Sequence, residues 1–274
     1  MSLNVRILAS GPGWRAADVV CTAGPHDRPF EERHDAVVIS AVTHGMFHYR
    51  STQGAALLAP GALLLGNRHH CFACSHEHSA GDRCMSFHFS PEFTEDVAAA
   101  VPGARRSDFT APSLPPLPEL LPLAAAAEAA REDGDAQELE ELALRFAGAV
   151  AATLAGSKPR SHAPSASAER RIALALRRIE AQACEPLSLD ELASAAAMSP
   201  YHFLRTFRAV VGMTPHQFVL HRRMHHAAVR LRRSKDSISA IALDCGFADL
   251  STFNRRFRRI MKQSPGAYRA AVRD

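Results

Sequence analysis

A duplication near the C-terminus constrains this chain more than any other feature. The stretches ELASAAAMSPYHFLRTFRAVVGMTPHQF (191–218) and AIALDCGFADLSTFNRRFRRIMKQSPGAY (240–268) match at a period of about 50 residues. Phe203 and Phe207 align with Phe253 and Phe257, Thr214-Pro215 with Ser264-Pro265, and Phe218 with Tyr268. Each copy reads as a short Ala-rich helix, a tight turn, and a second helix opened by Ser199 or Asp249 as N-cap. Phenylalanines at i and i+4 give that second helix one buried face, and arginines occupy the rest. This is a helix-turn-helix pattern, whose second helix is built to enter a major groove.

Between the copies, PHQFVLHRRMHHAAVRLRRS (215–234) reads as one unbroken helix. At 1.5 Å per residue it spans roughly 30 Å. Successive major-groove faces on one side of a duplex lie about 34 Å apart, so this helix suits two reading heads set one turn apart. Charge supports the same partner. Residues 168–274 hold 19 Lys+Arg against 9 Asp+Glu, a net of +10, and the remaining chain holds 13 against 19, a net of −6. Arg-for-Lys usage, with only three lysines present, does not account for that imbalance with the acids.

The closing run I-A-x-x-x-G-F-x-x-x-S-x-F-x-R-x-F, ending in P-x-x-Y-R, extends from Ile241 to Arg269. With the first copy it resembles the DNA-binding domain of the AraC family of bacterial transcription regulators, over about residues 168–274. The resemblance implies base-reading positions at Tyr201, Leu204 and Arg205 in the first head, and at Leu250, Ser251, Asn254 and Arg255 in the second. The chemistry suits those roles: Arg pairs with guanine, Asn with adenine, and Leu or Tyr meets a thymine methyl. Arg208, Thr252, Arg258 and Arg259 fall where phosphate contacts would set register. Leu204 departs from the polar residue usual at its position. Double-stranded DNA is the expected partner, with RNA polymerase and a small-molecule effector as further candidates.

The length of 274 residues suits two domains. AVVISAV (36–42), MFHYRS (46–51), ALLAPGALLLG (56–66) and CMSFHFS (84–90) read as short strands, with a tight turn at Pro60-Gly61. In the last, Met85, Phe87 and Phe89 alternate with Cys84, Ser86 and His88. The expected class is α+β: a small antiparallel β-barrel with following helices, then an all-α domain of two helix-turn-helix units joined by a long helix. The resemblance makes the strand-rich half cupin-like. The expected boundaries are 1–100 for the β regulatory domain, 101–156 for a helical dimerisation segment, 157–167 for a linker and 168–274 for the DNA-binding domain. Within the helical segment, Leu139, Leu142, Phe146, Val150 and Leu154 form an apolar stripe. Packing onto its own β domain and pairing with a second copy are both open to it. A homodimer formed mainly through the helix at 135–156 is the expectation, since the stripe is long enough for a coiled-coil-like contact, and relatives that dimerise through helices after the cupin add an analogy.

HHCFACSHEH (69–78) followed by GDRC (81–84) places three cysteines and four histidines in sixteen positions. Thiolate and imidazole are the preferred ligands of zinc, four in a tetrahedron. Cys71, Cys74, Cys84 and His78, with His76 as the alternate, form the candidate set, and Cys21 is a more distant fifth. A thiol switch and a loop of free thiols remain open for the same residues. Cys184 and Cys245 sit in helical, apolar company and read as core packing. A cupin-type metalloenzyme is the rival class, because His76-Glu77-His78 supplies an H-x-H; the glycine and glutamate spacings expected around it are absent, and an enzyme has no use for the C-terminal domain. A DNA-binding protein without effector is the third reading, and a sensor half of more than 150 residues counts against it. The start MSLNVRILASGPGW is too soon interrupted for a secretory h-region, and no apolar run suits a membrane span, so a cytoplasmic regulator and not an enzyme is expected.

Overall fold

In the computed structural model, residues 3–76, 81–104, 108–133, 136–156 and 164–271 are described. Two compact units result, one of Met1–Pro115 with Ala130–Ala166 and one of Pro116–Ala129 with Ser167–Asp274. The first unit holds strands β1 (Leu3–Gly11), β2 (Trp14–Cys21), β3 (Phe30–Arg33), β4 (Val37–Gly45), β5 (Phe47–Ser51), β6 (Gly54–Leu58), β7 (Leu63–Gly66), β8 (Cys71–Ser75) and β9 (Asp82–Phe89), helix α1 (Pro91–Ala100) and the short β10 (Ser113–Leu114). Helix α2 (Leu121–Asp133) follows, then α3 (Ala136–Gly156).

The strands are antiparallel, as expected, but they lie in two sheets and not in a closed barrel. The larger runs β1-β2-β9-β4-β7-β10 and the smaller β3-β8-β5-β6. Among the described residues, β1 and β10 remain edges of one sheet and β3 and β6 edges of the other. The turn at Pro60-Gly61 is the physical reason: Gly61 takes a positive φ of 90°, and the chain leaves β6 in the smaller sheet to enter β7 in the larger. Val38, Val42, Leu64 and Cys84 of the larger sheet then bury against Phe47, Tyr49, Leu58 and Cys74 of the smaller. The other face of the larger sheet is covered too. Phe87 meets Phe146 of α3 at 5.1 Å between ring centroids, and Phe89 meets Phe93 of α1 at 5.1 Å. The alternation in CMSFHFS therefore separates two apolar layers, and β9 is buried on both sides.

That arrangement decides the fate of the α3 stripe. Leu139, Leu142, Phe146 and Val150 are each at most 1% exposed within the single chain. The stripe covers its own sheet, so it is not available to a second copy, and the homodimer expected through it loses that interface.

The second unit holds α4 (Ala166–Gln182), α5 (Leu189–Ala195), α6 (Pro200–Val211), α7 (Pro215–Arg233), α8 (Ile238–Asp244), α9 (Leu250–Met261) and α10 (Pro265–Ala270). Helix α4 begins inside the stretch expected to be linker; residues 157–163 of that linker lie outside the described residues. Residues 116–129, expected in the helical segment of the N-terminal half, pack instead with this unit. Leu121 and Ala125 enter its core beside Met224, Ala227 and Ala228 of α7. Glu128 pairs with buried His225 of α7, their Oε2 and Nε2 2.5 Å apart.

The internal repeat is a repeat in space. Phe203, Phe207 and Phe218 pack at 5.5 and 5.9 Å between successive rings, and Phe253, Phe257 and Tyr268 at 5.4 and 5.5 Å. Both triads are almost wholly buried. Each ties the second helix of a head to the helix after it, α7 or α10. Capping boxes or N-cap side chains start the flanking helices: Thr214 with Gln217 opens α7, and Ser264 accepts from the Ala267 amide to open α10.

Candidate nucleic-acid interface

The first head is α5, a turn and α6; the second is α8, a turn and α9. With the phenylalanines turned inward, the arginines of each second helix turn out. Arg205 and Arg208 are exposed on α6, and Leu250, Ser251, Arg255, Arg258 and Arg259 are exposed on α9. Asn254 and Thr252 are half-buried, with the Thr252 amide donating to the Asp249 carboxylate at 2.7 Å. That amide holds the Asp249 carboxyl below its usual range. Two expected reading residues stand apart. The side chain of Tyr201 lies outside the described residues. Leu204 is half-buried and lines a cavity with Leu192, Val219, Leu220 and Arg256, so part of its apolar surface faces the protein.

Helix α7 holds the heads. Its 19 residues span roughly 28 Å at 1.5 Å per residue. Arg223, near its centre, donates from Nε to the Ala183 carbonyl at 2.6 Å, from Nη2 to the Glu185 carbonyl at 2.7 Å, and from Nη1 to the Gly246 carbonyl at 2.7 Å. Ala183 and Glu185 lead into the first head, and Gly246 is in the turn of the second. One guanidinium thus ties the spine to both, with a fork geometry that a lysine cannot reproduce. Sequence reasoning missed Arg223, because nothing in HRRMHH separates it from its neighbours. Arg222 beside it is buried and pairs with Glu180 at 2.8 Å.

The cysteines divide between the units. Cys245 is buried, as expected, but Cys184 is only half-buried and its Sγ lies 3.7 Å from His226 Nδ1. The hydrogen bond from Cys245 and the neighbouring His226 draw the Cys184 thiol well below the usual thiol range. In the first unit, Cys71 is exposed at the start of β8, while Cys74 and Cys84 are buried. Burial, then the nearby Asp82 carboxylate, pushes both buried thiols up. His78 lies outside the described residues. Among the described residues, the metal-type donors brought together are Cys21, His76 and Asp82, with ligand atoms all within 4.8 Å of one another. Asp82 was not among the expected ligands, and Cys71 is outside the group. The signal that could have found Asp82 is its place in GDRC at the start of a strand.

Residues 192–271 match a family model described as a helix-turn-helix domain. Over 85 residues the chain is 36% identical to the regulatory protein SoxS of Salmonella typhimurium, covering 31% of this chain and 79% of SoxS. The chain belongs to the AraC family. It is also 38% identical over 82 residues to the HTH-type transcriptional regulator MtrA of Neisseria gonorrhoeae, covering 30% of this chain and 27% of MtrA. With LumQ of Photobacterium leiognathi the match covers 38% of that protein, so the likeness spans well under half of these longer relatives. A solved AraC-type regulator from Chromobacterium violaceum shares 29% identity over 39% of this chain and 96% of its own, with a TM-score of 0.37. These relatives are named as transcriptional regulators.

Proposed function

We propose that this AraC-family chain regulates transcription by reading two successive major grooves of double-stranded DNA, with its N-terminal unit supplying the control. The observation that carries this reading is the pair of matching heads, each with an outward arginine face, joined by α7 and clamped by Arg223. Roughly 28 Å of helix matches a separation of about 34 Å between groove faces once the heads themselves add their width. Within the reading set, Arg255, Asn254, Ser251 and Leu250 take base edges and Arg205 does so in the first head. Arg208, Arg258 and Arg259 take phosphates, and Thr252 serves the Asp249 cap with both its amide and its hydroxyl. Leu204 contributes to packing more than to reading.

A small-molecule effector has a place in the N-terminal unit. A cavity of about 480 Å³ opens between α1, α3 and the larger sheet, lined by Ile39, Val97, Phe109, Ala147 and Leu154 with Asp108 and Thr110 at its polar side. Its size and mostly apolar lining suit a compact organic ligand.

Selection from a random duplex pool supplies the site for the test. Arg255→Ala should cost roughly 1–3 kcal/mol on the selected duplex and relax one position, whereas Arg258→Ala should weaken selected and scrambled duplexes alike. A pool that yields no enriched sequence, or an enriched sequence spanning one groove only, overturns the two-groove reading.

A further inference from the structure

We propose that Cys21, His76 and Asp82 form a binding site for a zinc-class divalent cation in the N-terminal unit. This gives the regulator reading above a signal, and it rests on that reading only for its consequence. Three chain segments meet at the site. Cys21 ends β2, His76 follows β8, and Asp82 begins β9. Cys21 and Asp82 face each other as register partners across the β2–β9 ladder, and Asp82 also partners Gly45 of β4. His76 arrives from the smaller sheet, so both sheets contribute a donor. Its Nε2 lies 2.5 Å from Asp82 Oδ2, and its ring stacks on Phe47 with centroids 5.8 Å apart.

The donor chemistry is that of a zinc site. One sulfur, one imidazole nitrogen and one carboxylate oxygen are each accepted at 2.0–2.3 Å by zinc, about the spacing that pulling in atoms already within 4.8 Å would give. Two more sulfurs stand by. Cys84 is two residues along β9 and its Sγ lies 3.5 Å from Asp82 Oδ1, and Cys74 is buried in the same layer. Cys84, already in contact with Asp82, is the nearer candidate for the fourth position of a tetrahedron. The backbone is arranged for close approach: Gly45 and Gly81 both have positive φ, a Cβ on Gly45 would lie 2.3 Å from the Gly81 carbonyl oxygen, and one on Gly81 would lie 2.7 Å from the Cys21 carbonyl oxygen. A side chain on Gly81 would hold the start of β9 away from Cys21, and one on Gly45 would hold β4 away from Gly81 and Asp82. Binding replaces a proton by the cation: the thiol of Cys21 releases one as its sulfur bonds the metal, and the His76–Asp82 hydrogen bond gives way to metal bonds from the imidazole Nε2 and the carboxylate, with the ring proton carried on Nδ1.

The test uses the full chain, stripped with a chelator and titrated with zinc against a chromophoric competitor, and in parallel with cobalt(II). One equivalent should bind, and the cobalt form should show a thiolate-to-metal charge-transfer band. Cys21→Ser and Asp82→Asn should each weaken binding by about 100-fold or more, since loss of even an outer-shell partner costs about 10- to 100-fold, and Cys71→Ser should leave it unchanged. Failure of the wild-type chain to bind zinc, a cobalt spectrum without the sulfur band, or loss of binding in Cys71→Ser would each overturn the site. Should Cys21→Ser not fold, the wild-type cobalt spectrum and the Cys71→Ser titration still decide. Stripped protein that binds no zinc yet retains sequence-specific DNA binding removes the site and leaves the regulator; zinc binding without DNA binding does the reverse.

Discussion

The two heads agree where they pack and differ where they face outward. Both close on a three-ring stack of nearly equal spacing, yet α6 begins at Ser199 without a side-chain cap bond, while Asp249 caps α9 through the Thr252 amide. The turn of the first head places Ala197 at a positive φ of 51°, where the second uses Gly246 at 81°. Counting from the shared phenylalanines, Leu204, Thr206 and Ala209 stand where the second head has Asn254, Arg256 and Arg259. The second head is thus the better specified locally and the more strongly charged. A duplicated fold needs its core twice, but a spine that is already rigid tolerates one weakly capped copy.

The strongest way to break this comparison is through the shared part. Phe207→Ala and Phe257→Ala should each cost about 3–5 kcal/mol, because each empties the centre of a fully buried ring stack. Denaturant unfolding followed by separate probes in α6 and α9 would show one transition for either variant if α7 and Arg223 make the heads a single cooperative unit. Loss of one head alone would mean that the spine does not couple them.

The turns come next. In Gly246→Ala the new Cβ would lie 2.2 Å from the Cys184 carbonyl oxygen, in backbone that already favours glycine. A loss of roughly 2–3 kcal/mol is expected, with the Arg223 bond to the Gly246 carbonyl disturbed as well. The opposite change in the first head, Ala197→Gly, should stabilise by about 0.5–1 kcal/mol by relieving the left-handed alanine. Equal responses at the two turns, read by thermal unfolding, would erase the difference between them.

On DNA the comparison sharpens into charge. Replacing Arg258 and Arg259 together by Ala should reduce the slope of log K against log salt by about 2, and Arg208→Ala in the first head by about 1. A larger change from Arg208 would reverse which head anchors the complex.

Much of this was legible in the sequence because it was written twice. Phe203, Phe207, Phe253 and Phe257 recur at one spacing, and a buried face at i and i+4 has few other meanings. The strands of residues 3–16 were not anticipated, since Val5 and Ile7 alternate on an exposed edge strand, β1, whose outward face gives no apolar contrast. The α3 stripe showed that it would be buried but not against what; Phe146 found Phe87 of its own chain. The Cys/His run announced metal-type chemistry while concealing the geometry. Cys71 and Cys74 are near in sequence, yet the group that meets in space takes Cys21 from 55 residues before His76, because the β2–β9 ladder sets Cys21 opposite Asp82. Arg223 is the same lesson in the other unit, as a residue whose three carbonyl partners lie about 23 to 40 positions away.

The smallest expected difference lies in the caps. Asp249→Ala removes the acceptor of the Thr252 amide and a negative charge at the start of α9, so the second head should lose more stability than the first does with Ser199→Ala, which breaks no side-chain cap bond. The gap between the two variants should depend on pH. The Asp249 carboxyl is held below its usual range in the folded chain, so its contribution is complete above the ordinary carboxylate range and fades as the pH falls through the folded value. Ser199 does not titrate, and its variant should track the wild type at every pH. Thermal unfolding of both variants at neutral and acid pH is the measurement. Convergence of Asp249→Ala with the wild type in acid would confirm that the cap works as a charged acceptor, and a constant gap would place its effect in helix geometry instead.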